Sequence, residues 1–234
     1  MAIEKFVLVH GAWHGGWCWA KVARLLRDAG HEVYTPTLTG LGERAHLARP
    51  EVDLELHIQD IVAMLEAEEL RQVTLVGHSY AGLVITGVAA RAAARIGHLV
   101  YLDAFVPEAG KGLLDYLGAR AEAMREAART QGEGWKVPPF TPERFGVTSQ
   151  RDTEWLTKHL VPQPLRTFEQ PLPAAGGDKL KRTYIYCSKP ATGTFDQFAE
   201  RLRDDRKWTF HDVKTGHDAM VTAPGDIAKI LMGK

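Results

Sequence analysis

Cysteine is nearly absent from this 234-residue chain: only Cys18 and Cys187 occur, far apart and in no metal-like spacing. A disulfide framework is excluded and a zinc site has no support, so the expectation is two buried thiols and no metal. An excess of charge is missing too. The 29 basic residues balance the 29 acidic ones, which leaves no electrostatic footprint for nucleic acid or an anionic membrane surface. The expected partner is therefore a small molecule. No apolar run approaches the roughly 18–20 residues that a membrane span requires. The opening MAIEKFVLVHGAW has too short an apolar stretch for a secretory signal, so the chain reads as cytoplasmic. Oligomeric state is not legible, and a homodimer stays open.

What is present is a rhythm of strands and helices. Apolar runs at residues 6–10, 31–37, 73–77, 98–104, 182–188 and 207–214 read as strands. Helical spacing predicts helices over about 17–29, 53–70, 79–95, 195–203 and 224–232. Such alternation implies an α/β fold with about six mainly parallel strands flanked by helices. The ligand site of such an open sheet lies beyond the carboxyl ends of its strands. The rhythm stops between residues 108 and 177, where helical pieces over 113–130 and 151–159 and the Pro-punctuated VPQPLRTFEQPLP show no convincing strand. The expected organisation is a core of residues 1–107 and 178–234 with a helical cap inserted at 108–177.

Gly77-His78-Ser79-Tyr80-Ala81 carries the pattern Gly-x-Ser-x-Gly with alanine in the last place. Between a strand and a helix, that pattern makes a nucleophile elbow, a tight corner tolerating only small neighbours. The competing reading is that Ser79 merely caps the helix, but strand before and helix after are the context the elbow requires. A serine hydroxyl needs a base at neutral pH. His217, on the Gly-containing loop between the last strand and the last helix, is best placed. His10 and His78 read better as loop-bracing or packing residues, while His14 could touch substrate. The backbone N–H of Tyr80, at the helix N-terminus, can serve a developing oxyanion. A second donor is expected from the turn HGAWHGGW, which has neither Gly-x-Gly-x-x-Gly nor a Walker lysine–serine pair.

FVLVHGAWHGGWCW, GHSYAG, PQPLRTFEQPL and GHDAMVTAP stand in an order that resembles the α/β-hydrolase superfamily. Within it the resemblance is to small esterases and hydroxynitrile lyases, including plant methyl-salicylate esterases and bacterial ester and pyrethroid hydrolases. It implies an α/β-hydrolase fold with a helical cap, a Ser–His–acid triad, Ala12 rather than Trp13 as the second oxyanion donor, and no cofactor. The acid departs from the plant pattern: 28 residues before His217, where those relatives carry aspartate, stands Lys189. Lysine cannot accept a hydrogen bond from a histidine N–H. Asp103, at the end of the strand after the elbow strand, resembles the acid of certain dehalogenases and a lactonase. It is the expected acid, ahead of Asp196 and Asp218. The expected reaction is cleavage of small apolar or aromatic esters through an acyl-enzyme. Trp13, Phe105 and Trp155 are the expected substrate wall, with Trp17, Tyr80, Trp135, Phe140 and Leu160 as further candidates. Arg44 is expected to be solvated, or else to meet a substrate carboxylate. Two rivals share the fold: a hydroxynitrile lyase and a non-catalytic small-ligand receptor. The lyases usually carry threonine where Gly11 stands and lysine where Asp218 stands, and Asp218 would repel cyanide.

Overall fold

The run FVLV is buried along its length, because the strand it forms has a parallel neighbour on either side. Such strands read as unbroken apolar runs rather than alternating ones. The computed structural model describes residues 3–233. Its first half comprises β1 (Lys5–Val9), α1 (Ala20–Asp28), β2 (Glu32–Tyr34), α2 (Leu54–Ala67), β3 (Val73–His78), α3 (Ala81–Ala92) and β4 (Ile96–Leu102). A segment follows with α4 (Arg120–Gln131), β5 (Lys136–Val137), α5 (Gln150–His159), β6 (Gln163–Pro164) and α6 (Arg166–Glu169). The chain returns through β7 (Lys181–Cys187), α7 (Asp196–Leu202), β8 (Thr209–Val213), α8 (Ala219–Thr222) and α9 (Pro224–Leu231).

Six strands form one parallel sheet in the order β2-β1-β3-β4-β7-β8. Helices flank it, with α1 packed on α9 and α2 on α3. The strand order reverses between β1 and β3, so a crevice opens where their carboxyl ends diverge. Ala12 follows β1 and Ser79 follows β3, which brings both to that point.

Three local expectations change. The second strand is only Glu32–Tyr34. It is an edge strand, and Pro36 just beyond has no N–H to continue a ladder. The expected helix over 113–130 is broken, with a 3₁₀ turn at Leu113–Tyr116 and α4 beginning at Arg120. Gly118 between them has φ +55°, which leaves the helical region. The segment expected to lack strands contains a minimal antiparallel pair, Val137 facing Gln163 and Lys136 facing Pro164.

The fold tolerates no side chain at Gly82, the second residue of α3. A Cβ on Gly82 would lie 1.9 Å from the carbonyl oxygen of Phe105, and backbone cannot swing aside. Gly82→Ala is expected to cost about 3 kcal/mol, a fall in Tm of about 6–12 °C for a chain of this size, measured by calorimetry.

Candidate active site

Ser79 sits at φ +55°, in the left-handed region, where a non-glycine residue costs about 1–3 kcal/mol and persists only if its surroundings hold it. They do. Its N–H donates to Leu102 O at 3.2 Å, and its carbonyl accepts from the N–H groups of Gly82 at 3.1 Å and Phe105 at 3.2 Å. The elbow is thereby tied to the end of β4. Across the crevice, a Cβ on Gly11 would come within 2.9 Å of Ser79 Cβ and 2.8 Å of His78 Nδ1, so a larger residue there would displace the serine.

Asp103, immediately after β4, also has a positive φ, +41°. Its backbone N–H donates to Ile185 O at 2.7 Å. Its carboxylate accepts from Cys187 N–H at 3.1 Å through Oδ1 and from His217 Nδ1–H at 2.6 Å through Oδ2. Burial pushes this carboxyl's pKa up, and the hydrogen bonds from His217 and Cys187 oppose that only in part. With Nδ1–H directed at Asp103, Nε2 is the nitrogen left to act as base, and it meets no hydrogen-bond partner among the described residues. Phe195 stacks on the imidazole at 4.9 Å, nearly parallel. The two other aspartates are engaged elsewhere: Asp196 accepts from Tyr186 O–H at 2.7 Å, and Asp218 faces His14. Lys189 is exposed.

A cavity of about 450 Å³ opens over the elbow, and Ala12, Trp13, Ser79, Tyr80, Phe105 and His217 all line it. Its size falls in the usual range for small-molecule sites. The N–H of Trp13 is taken by Gln163 Oε1 at 3.0 Å. Those of Ala12 and Tyr80 donate to no described residue, which leaves both free to meet an oxyanion. Trp13 holds its place through Nε1–H donated to Val137 O at 3.0 Å. Trp155 is a correction, for it does not line this cavity. Its ring packs edge-on against Trp17 at 5.0 Å, on the side of α5 where Asp152 pairs with Lys21 of α1 at 2.8 Å. Arg44 braces a loop, donating to Thr37 O at 2.7 Å and Thr39 Oγ1 at 2.8 Å.

Sequence reasoning missed Phe145, Phe168 and Phe195 as well as Leu117 and Met124, all of which line the cavity. Phe195 could have been found by the criterion that found Phe105, an aromatic residue on a loop leaving a strand's carboxyl end. The others lie between β4 and β7, where no main-sheet strand sets side-chain direction.

Four further histidines are buried beneath or beside the site. His10 donates Nδ1–H to Gly11 O at 2.8 Å and accepts from Leu38 N–H at 3.0 Å, and burial lowers its pKa to about 3. His57 accepts from Tyr80 O–H at 2.9 Å and donates to Thr39 O. His78 donates Nε2–H to His217 O at 3.0 Å. His14 does not reach the cavity, for its ring faces Ala12 O and Asp218. The donor atoms of His78, His217 and Asp218 lie within 4.8 Å of one another, a spacing that could hold a metal. Each residue already has another partner, however: Asp103 for His217, the His217 carbonyl for His78, and His14 for Asp218. Cys18 and Cys187 are free and buried, and burial raises both thiol pKa values, which makes them unreactive.

Over residues 6–230 the sequence matches the alpha/beta hydrolase family. The chain belongs to that family. This alpha/beta hydrolase is 44% identical to a carbendazim hydrolyzing esterase of Nocardioides sp. strain SG-4G, over 98% of each chain. It is 26% identical to methylesterase 10 of Arabidopsis thaliana, over 98% of this chain and 90% of that one. Relatedness of that extent to esterases makes the hydrolase one of carboxylesterase type. Among solved structures, an extracellular alpha/beta-hydrolase from a Paenibacillus species shares its fold with a TM-score of 0.82 at 23% identity, covering 98% of both chains. A pyrethroid hydrolase from Sphingobium faniae JZ-2 does so at 0.76 and 22%, covering 99% and 97%. No helix of the described residues is long and apolar enough to cross a membrane.

The geometry distinguishes the two rival acids of this hydrolase. Asp103→Asn is expected to lower kcat for an ester about 10³–10⁴-fold, because His217 then loses the carboxylate that sets its tautomer. Asp196→Asn is expected to stay within about threefold, its partner being a tyrosine hydroxyl on the surface side. Steady-state kinetics on both variants checks this.

Proposed function

We propose that the protein is a serine carboxylesterase that cleaves small apolar or aromatic esters through an acyl-enzyme. The observation that carries this reading is the 2.6 Å His217–Asp103 hydrogen bond behind a cavity that Ser79 also lines. Ser79 Oγ attacks the ester carbonyl carbon while His217 Nε2 takes its proton. Asp103 stabilises the imidazolium, and the N–H groups of Ala12 and Tyr80 hold the oxyanion. When the tetrahedral intermediate collapses, the carbon–oxygen bond to the alcohol breaks and His217 returns the proton to the leaving oxygen. Water, deprotonated by the same nitrogen, then attacks the acyl carbon, and the acid departs as Ser79 regains its proton.

Trp13 and Phe105, joined by Phe140 and Phe195, form an aromatic wall that supports an apolar or aromatic ester. The proposal assigns the chemistry to the core at 1–107 and 178–234, and the outer cavity wall to a cap at 108–177. Two unpaired thiols are compatible with a reducing compartment, and a cytoplasmic location is part of the same reading. The relative at 44% identity is named for hydrolysing carbendazim, so carbendazim belongs among the first substrates to try. The lyase reading is disfavoured because Asp218 stands where those enzymes usually carry lysine, so the positive charge that would stabilise cyanide is missing.

Ser79→Ala is expected to lower p-nitrophenyl acetate hydrolysis at least about 10⁴-fold, and a fluorophosphonate is expected to add to Ser79 alone, read by peptide mass spectrometry. No cyanide should be released from mandelonitrile. Turnover that survives in Ser79→Ala, or labelling elsewhere, would sink the proposal. The cavity also carries two exposed cations, Arg120 and Arg144, and no acidic side chain among its lining residues. An ester bearing a distal carboxylate is therefore expected to show a KM about two- to fivefold below that of its neutral analogue, the size an exposed pairing allows. Arg144→Gln should narrow that difference.

A further inference from the structure

His14 and Asp218 form a buried ionic contact that the proposed chemistry does not use. Their side chains are 1% and 0% exposed, and Nε2 lies 3.1 Å from Oδ2. The other ring nitrogen, Nδ1, lies 2.7 Å from the carbonyl oxygen of Ala12. Neither a backbone carbonyl nor a carboxylate has a hydrogen to give, so both ring nitrogens must donate. A histidine that donates from both nitrogens is an imidazolium. Its pKa agrees in direction: burial, the largest single influence, pulls it down, but the charge and hydrogen bond of Asp218 together with the Ala12 carbonyl outweigh burial, and the net shift is upward.

The position of the pair gives it a role. His14 holds the turn after β1 by the carbonyl of Ala12, the residue proposed to donate to the oxyanion. Asp218 directly follows His217, and its N–H donates to Phe145 O at 3.0 Å. One contact thus joins the oxyanion turn to the loop of the base. Resting on the hydrolase reading above, we propose that His14 and Asp218 are positioning residues, a buried imidazolium–carboxylate clamp that holds the Ala12 donor and His217 in register across the cavity.

The surrounding groups let the clamp stay charged. His78 is 3.9 Å from Asp218 through Nε2, and its ring centroid is 6.2 Å from that of His14. Burial, then the neighbouring His217 and His14, keeps His78 well below the usual histidine range, so it is neutral and does not compete for the carboxylate. The Cys18 thiol is pushed up by burial and then by Asp218, so it too stays neutral. Trp17 stacks on His14 at 5.4 Å and Phe145 meets it edge-on at 5.4 Å, excluding water. A group whose pKa is raised by a partner keeps that interaction at low and neutral pH and loses it as pH rises through the raised value. The clamp should therefore open on the alkaline side.

The test uses the full chain labelled with ¹⁵N-histidine, together with steady-state kinetics on p-nitrophenyl acetate. In the wild type at pH 7.5, His14 should show both ring nitrogens protonated, assigned by its loss in His14→Gln, and Asp218→Asn should abolish the double protonation where it can be assigned. Asp218→Asn should lower kcat at least tenfold with KM within about twofold, and circular dichroism should show it folded at the assay temperature. The wild-type kcat should decline at alkaline pH as His14 loses its proton, and His14→Gln should lack that decline. A singly protonated His14 at pH 7.5 overturns the clamp. So does a folded Asp218→Asn of normal kcat. Should Asp218→Asn not fold, the wild-type spectrum and the alkaline limb of His14→Gln decide alone. Wild-type turnover tests the underlying reading separately, because an inactive wild type sinks the hydrolase proposal whatever the state of His14.

Discussion

The site depends on one backbone knot, where the corner after β3 meets the end of β4. Ser79 N–H reaches Leu102 O, while Ser79 O receives the N–H groups of Gly82 and Phe105. The missing side chain of Gly82 lets Phe105 O approach to where a Cβ would stand. These bonds hold Ser79 in a backbone conformation it would not adopt alone. They also fix the chain on either side of Asp103, so the candidate nucleophile and its candidate acid are placed by the same few hydrogen bonds.

That arrangement gives a physical account of how a candidate acid can follow β4 rather than β7. β3 and β4 are adjacent parallel strands, and both chains leave the sheet at the same edge through residues of positive φ, Ser79 and Asp103. The carboxylate is anchored from the far side by Cys187 N–H, so β7 still contributes, but through its backbone. A side chain after β7 is then free to be lysine, which points into solvent. A triad needs a carboxylate at the right place and has no need of a particular strand to supply it.

Around this centre buried histidines bind the backbone, while His78 Nδ1 and Asp218 Oδ1 are left without a partner among the described residues. His10, His14, His57 and His78 each secure a loop carbonyl or an amide that the crevice leaves without a sheet partner. Buried loops carry backbone groups that must find partners, and a histidine offers two ring nitrogens in fixed directions for that purpose. Rigidity beneath the cavity allows the two free N–H groups, at Ala12 and Tyr80, to stay oriented without a ligand. The wall above is apolar and aromatic, and it makes few such demands.

The sequence by itself determined the class of fold and the elbow. Strand periodicity, the small residues after Ser79 and the Gly-containing loop of His217 are local features, legible because backbone sterics and turn chemistry act over a few residues. In the sequence Asp103 was the preferred member of a set of candidate acids, since Lys189 removed the usual partner and the strand order made β4 a neighbour; the structure pairs it with His217, and its role as the acid belongs to the proposal. Tertiary structure alone decided which residues between β4 and β7 face the cavity. Trp155 looked equivalent to Phe140 in sequence, yet it packs against Trp17, beside the Lys21–Asp152 ion pair, and does not line the cavity. The small β5–β6 pair likewise depends on contact between segments apart in the chain. The pairing of His14 with Asp218 joins residues 204 positions apart, and no short-range rule connects them: their contact exists only because the sheet brings the ends of its first and last strands to one crevice.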